Sequence, residues 1–189
     1  DLPFIGTHRT VKLVGIAAGA RHTLLLANQG NVWAFGDNSQ GQLGQGDTGN
    51  IYTDKQVTIR DTRTYRDGVR YTPVKVVQGV SASTDAYLDN IITISAGGNY
   101  SMALRADGVA FAWGGNECGQ LGTVSAGRVT VPTEIGYSSD QDPTEFYFKN
   151  VVEISAGRDH ALAAAIYGQM VEVKDEDAGE DEGETTQVL

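Results

Sequence analysis

The chain predicts an all-β fold built from repeated modules, and three observations carry that expectation. The stretch Ile16 to Gly44 returns recognisably at Ile94 to Gly122, and its first half returns again at Ile154 to Gly168. Each copy holds short apolar runs bounded by turn formers, and no stretch keeps a 3.6-residue apolar period over three turns. Bulky residues alternate with small ones in Val32-Trp-Ala-Phe-Gly36 and Ala110-Phe-Ala-Trp-Gly114, a pattern suited to sheets packed face to face. A repeat of this length is one supersecondary unit, which buries its apolar face only against a neighbour.

The elements follow in order along each copy. Gly19, Gly97 and Gly157 correspond, at spacings of 78 and then 60 residues. A proline precedes each copy (Pro3, Pro73 and Pro132), near an apolar residue fit to open a strand. His22–Ala27 and Tyr100–Arg105 read as strands. Asn28-Gln-Gly30 and Ala106-Asp-Gly108 supply hairpin turns, with glycine free to take the positive φ such turns need. Val32–Gly36 and Ala110–Gly114 are the return strands, and Gly41-Gln-Leu-Gly44 matches Gly119-Gln-Leu-Gly122 letter for letter. The expected organisation is a first repeat over 1–46, an inserted basic β-hairpin arm over 47–72, a second repeat over 73–131, a partial third over 132–171 and an acidic tail over 172–189.

The pattern Ala-Gly-x-x-His-x-x-x-Leu, then Trp-Ala-Phe-Gly or Phe-Ala-Trp-Gly, then Asn-x-x-Gly-Gln-Leu-Gly resembles the repeats of the regulator of chromosome condensation family. The resemblance covers roughly residues 1–171, interrupted by the insert, and two of the three copies carry nearly the whole signature. It implies a partial β-propeller of four-stranded antiparallel blades, about three of them with the last incomplete. Propellers close with about four to eight blades, so the open faces are expected to be covered by more of a longer protein or by neighbouring chains. A numbering that begins at Asp1 suits a processed or excised chain. The resemblance makes Gly19, His22, Gly36, Gly97, Trp113, Gly114, Gly157 and His160 structural repeat positions. The family spans exchange factors for the GTPase Ran, ubiquitin-ligase domains, secreted bacterial proteins and a bacterial inhibitor of β-lactamases. Fold does not select among these. The irregular insert leans the expectation toward the bacterial, secreted or surface-exposed members.

Composition narrows the rest. With 40% hydrophobic residues the chain can bury a real core. No apolar run is long enough to span a bilayer as a helix. Cys118 is the single cysteine, so no intrachain disulfide is possible. The net charge of −10 is uneven: 172–189 holds eight acidic residues and one lysine, leaving the rest of the chain near balance. Such a block is usually solvated. Its acidic run lacks the glycine spacing of a calcium loop.

The 47–72 arm has the opposite sign. From Lys55 to Tyr71, Lys55, Arg60, Arg63, Arg66 and Arg70 outnumber Asp61 and Asp67, with Tyr52, Tyr65 and Tyr71 in or near the stretch. An arm of this kind meets a protein surface through arginine and tyrosine, or the chain's own acidic tail, a contact that salt would weaken. Nucleic acid is disfavoured because nothing outside the arm is basic. Asp37, Asn38 and Asn116, in the loops after the return strands, complete the expected contact residues.

A search for chemistry returns little. His22 and His160 share a slot that Tyr100 fills in the second copy, an exchange that suits packing and not a catalytic base. His8 has no partner at metal-ligand spacing. Gly44-Gln-Gly-Asp-Thr-Gly49 matches a dinucleotide glycine pattern by letters, but no helix follows it. No catalytic residue, cofactor, metal or small-molecule substrate is therefore expected. The function expected is a non-enzymatic, protein-binding scaffold module, partnered by another protein or by copies of itself. The alternatives are an exchange-factor-like regulator of a small GTPase and a propeller-type protein inhibitor of an enzyme.

Overall fold

The computed structural model describes residues 11–48, 68–79, 87–123, 127–136 and 150–166. They form three antiparallel sheets. The first runs β1 (Leu13–Ala18), β2 (His22–Ala27), β3 (Val32–Asp37) and β4 (Val69–Lys75), in that spatial order. The second repeats it with β5 (Ile91–Ala96), β6 (Tyr100–Arg105), β7 (Ala110–Gly114) and β8 (Val129–Glu134). The third has β9 (Val151–Ala156) paired with β10 (Ala161–Ala165). Among the described residues no helix is long and apolar enough to cross a membrane. The all-β, four-stranded, partial-propeller expectation holds.

The modules coincide in detail. His22 lies opposite Gly36 and Thr23 opposite Phe35, just as Tyr100 lies opposite Gly114 and Ser101 opposite Trp113. Each hairpin turns on a glycine with positive φ, Gly30 at 77° and Gly108 at 82°, a conformation that costs glycine nothing. The register breaks where Ala34 and Gly36 face Val74 and Arg70, and again where Ala112 and Gly114 face Thr133 and Val129, so the same bulge puts two extra residues into the fourth strand of both sheets.

The prolines show that sequence repeat and sheet are out of phase. Pro73 and Pro132 sit inside β4 and β8, the closing strands of the sheets before the copies they precede. β4 crosses the 72/73 division between arm and second repeat, so Val69, Arg70 and Tyr71 belong to the first sheet. A proline is tolerated there because β4 and β8 are outermost strands, where one face of the ladder needs no N–H donor.

Two cores fill the spaces between sheets. The first joins Leu24, Val32 and Ala34 to Ile91, Ala103, Phe111 and Trp113. The second joins Tyr100, Met102 and Leu104 to Val151 and Ile154. Every residue of β7 is buried because the second sheet has a neighbour on both faces. β10, with the same apolar character, is half-buried to exposed.

Candidate functional site

The seam between the first two sheets is built around one carbonyl. Gln42, in the Gly41–Gly44 tetrad, presents its backbone oxygen to the Ser101 hydroxyl at 2.7 Å and the Trp113 indole N–H at 2.9 Å. Ser101 Oγ lies 3.0 Å from His22 Nε2. The one serine proton already goes to Gln42, so His22 must donate through Nε2. Its Nδ1 then carries a lone pair, buried and without a hydrogen-bond partner among the described residues. Burial pushes the His22 pKa down from 6.5 to about 4, against the opposing pull of the Asp37 carboxylate and the Tyr100 backbone. His22 is therefore a neutral seam residue near pH 7.

Tyr100 does the same work one module on. Its hydroxyl donates to the carbonyls of Gly157 (3.0 Å) and His160 in the third sheet. Burial raises its pKa to about 12. A Cβ at Gly19 would lie 2.6 Å from the Gly97 carbonyl, and one at Gly97 would lie 2.5 Å from that of Gly157. The glycines are required because the next module's backbone stands where a side chain would be.

The loops after β3 and β7 are tied to themselves. The Asn38 amide oxygen accepts the Leu43 N–H at 2.9 Å, and that of Asn116 accepts the Leu121 N–H at 2.9 Å. The Gln42 and Gln120 side chains accept the N–H groups of Gln40 and Cys118, at 2.8 and 2.9 Å. Asn38 and Asn116, expected as contact residues, are buried and hold their loops in shape. Asn38 also donates to Asp47 Oδ1 at 2.8 Å, and Asp47 pairs with Arg70 at 3.1 Å. Arg70 is thus drawn against the base of the arm, and Tyr71 is exposed on β4. The structure brings Asn38 and Arg70 together through Asp47. Tyr52, Arg60, Arg63, Tyr65 and Arg66 lie outside the described residues, as do the rest of the arm's tip and the acidic tail.

The exposed polar groups converge elsewhere. The turns between first and second strands, at Ala20-Arg21, Gly98-Asn99 and Arg158-Asp159, stand side by side. Ala20 N–H donates to Gly98 O at 3.2 Å, and Gly98 N–H to Arg158 O at 3.0 Å. With Asp37, Ser39 and Gln40 they line an open polar depression of about 300 Å³. Arg158 pairs with Asp159 at 3.3 Å, and Asp37 accepts the Ser39 N–H at 2.9 Å. Of the expected contact residues that are among the described residues, only Asp37 lines this depression. Arg21, Asn99, Arg158 and Asp159 are additions, and a signal for them existed. They occupy the x-x positions inside Ala-Gly-x-x-His, which vary among copies while the preceding Ala-Gly pair stays fixed. Among the described residues no group of three or more His, Cys, Asp or Glu is arranged to hold a metal.

Comparison with known proteins agrees with this architecture. The family model described as the regulator of chromosome condensation (RCC1) repeat matches residues 29–104 and 107–164, and a second of the same description matches 13–42 and 91–120. The chain is 31% identical over 156 residues to the guanine nucleotide exchange factor SRM1 of Saccharomyces cerevisiae, covering 80% of this chain and 31% of that protein. It is 36% identical over 119 residues to the mouse X-linked retinitis pigmentosa GTPase regulator, covering 63% of this chain and 9% of the relative. The solved structure of yeast Prp20p, described with its binding properties to Gsp1p and histones, superimposes with a TM-score of 0.58 at 24% identity, over 90% of this chain and 33% of that one. The chain thus spans about a third or less of the length of these relatives. The repeated seam, the self-tied loops and the matched repeats together make this chain a member of the regulator of chromosome condensation repeat family.

Proposed function

We propose that the chain is a non-catalytic protein-binding module, in which the packed sheets hold the turns and the polar loop face for another protein to read. The observation that carries this reading is how the side chains are divided. His22 and Tyr100, chemically versatile groups, are spent in the seams between sheets, whereas Arg21, Asn99, Arg158 and Asp159 project from adjoining turns around one shallow polar depression. A depression that is open and charged with both signs suits a protein surface bearing complementary charges, since interface rims are polar and arginine-rich. The basic 47–72 arm adds a second contact element in this reading.

The test is capture of purified candidate partners by the chain and by its Arg21→Glu, Arg158→Glu double variant. Loss of capture with an unchanged thermal midpoint supports the reading. Equal capture by both forms removes the turn face from it. A second reading, regulation of a small GTPase by direct contact, is favoured by the matches to an exchange factor and a GTPase regulator. Accelerated nucleotide release from a purified GTPase in the presence of the chain would select it over a passive scaffold.

A further inference from the structure

The described arginines divide by partner, and the division falls along one face. Of the five, Arg70 pairs with Asp47 at 3.1 Å, and Arg105 holds Asp107 through two of its nitrogens at 2.8 and 2.9 Å. Arg21 makes no side-chain hydrogen bond or ion pair among the described residues. Arg128 reaches only the Ser39 carbonyl, at 3.4 Å, and Arg158 only its own neighbour Asp159, at 3.3 Å. These three are exposed, and all border the polar depression over the first seam. Arg21 and Arg158 line it, and Arg128 stands at its rim through Ser39. The two acids of the depression are already engaged, Asp159 with Arg158 and Asp37 with the Ser39 N–H at 2.9 Å. Its walls are turns and loops at the strand ends of three adjoining sheets, apart from the apolar faces of the first and last.

We infer that this depression takes a protruding acidic loop of a folded partner protein, whose carboxylates pair with Arg21, Arg128 and Arg158. The inference rests on the protein-binding reading and names the partner's chemistry. A guanidinium presents its N–H donors in a planar fork that matches a carboxylate. Three such forks stand around one loop here, with most of their donors unused. At about 300 Å³ the depression is at the small end for a ligand pocket, and it is too open to enclose a small molecule. It has room for the tip of a loop, and arginine is a residue that interfaces favour. Nucleic acid fits less well. Its capture takes stacking aromatics or a track of successive phosphates, whereas no aromatic side chain lines the depression and the chain as a whole carries −10.

The experiment titrates a cyclic peptide of alternating Glu and Gly into the isotopically labelled chain and follows the arginine Nε–Hε resonances by NMR, each assigned from its Arg→Lys variant. Gln/Gly and Lys/Gly peptides of the same size, and a short oligothymidylate, are the comparison probes. The signals of Arg21, Arg128 and Arg158 should move together along one binding curve, while those of Arg70 and Arg105 stay in place. Arg21→Gln with Arg128→Gln should weaken the binding about tenfold or more at an unchanged thermal midpoint. Arg21→Lys keeps the charge and should still weaken it, because an ammonium lacks the fork. No shift with the Glu/Gly peptide overturns the inference, as do equal shifts with either other peptide. So do shifts spread evenly over all the arginines, tighter binding of the oligonucleotide, or unchanged affinity in the double variant. The two readings fail separately. A partner that the Arg21→Glu, Arg158→Glu variant loses but the Glu/Gly peptide does not displace would keep the binding reading and remove the acidic loop.

Discussion

Exchange of His22 for tyrosine, the residue in the same slot of the second sheet, makes the seam's dependence on a neutral imidazole measurable. In the folded chain His22 takes its proton near pH 4, and free in the unfolded chain at its ordinary value of 6.5. Between these values the unfolded state binds the proton and the native state does not, so stability falls as pH falls through that window. Above 6.5 the contribution is complete, and below about 4 no more is lost. At about 1.4 kcal/mol per pH unit, the window corresponds to about 3 kcal/mol. Physically, a proton on Nδ1 would place a charge between two sheets, where little water can reach it. Urea unfolding of the unmodified chain and His22→Tyr at about pH 7 and about pH 4 isolates this share, because the carboxylates common to both cancel in the difference. The unmodified chain should lose about 3 kcal/mol more than the variant over that interval. Parallel pH profiles would refute the placement of His22 as a buried, neutral donor.

Other substitutions probe the seam and the loops. Trp113→Ala should cost about 3–5 kcal/mol in urea unfolding, because the ring is fully buried against Gly44 and Val76; a loss under about 1 kcal/mol would contradict that burial. Gly97→Ala should cost about 1–3 kcal/mol or more, since the new methyl meets the Gly157 carbonyl and the Tyr100 ring, and differential scanning calorimetry would register it. Asn38→Ala removes the acceptor for the Leu43 N–H and the donor to Asp47, for an expected loss of about 1–3 kcal/mol. Arg63→Glu with Arg66→Glu should leave the thermal midpoint in place and alter association only, read by light scattering with and without added salt.

Much of the fold was legible because the chain states its pattern more than once. The hairpin turns at Gly30 and Gly108, the return strands and the paired Gly-Gln-Leu-Gly tetrads all lie where periodicity and turn chemistry put them. The phase of the sheets was harder to read. A strand's letters do not say which of two neighbouring sheets it will join, and β4 and β8 close the sheets behind them. The loop asparagines were misleading for a related reason. An amide next to a glycine turn looks solvent-facing, yet its oxygen is the nearest acceptor for the loop's own N–H groups, and that local demand is met first. The turn face around Arg21 and Arg158 went unread because its residues are far apart in the chain and meet only through stacking of the modules. Variation inside a fixed motif was the clue that pointed there.

The bond from Ser101 and Trp113 to Gln42 ends on a main-chain oxygen, and Tyr100 likewise spends its hydroxyl on main-chain oxygens. A carbonyl is supplied by any amino acid, so a duplicated segment carries both the donor and the acceptor from the moment it arises. Such an array can lengthen by tandem copying without waiting for a compensating change in its neighbour. Outward-pointing side chains are then left to diverge, one copy at a time, toward different targets.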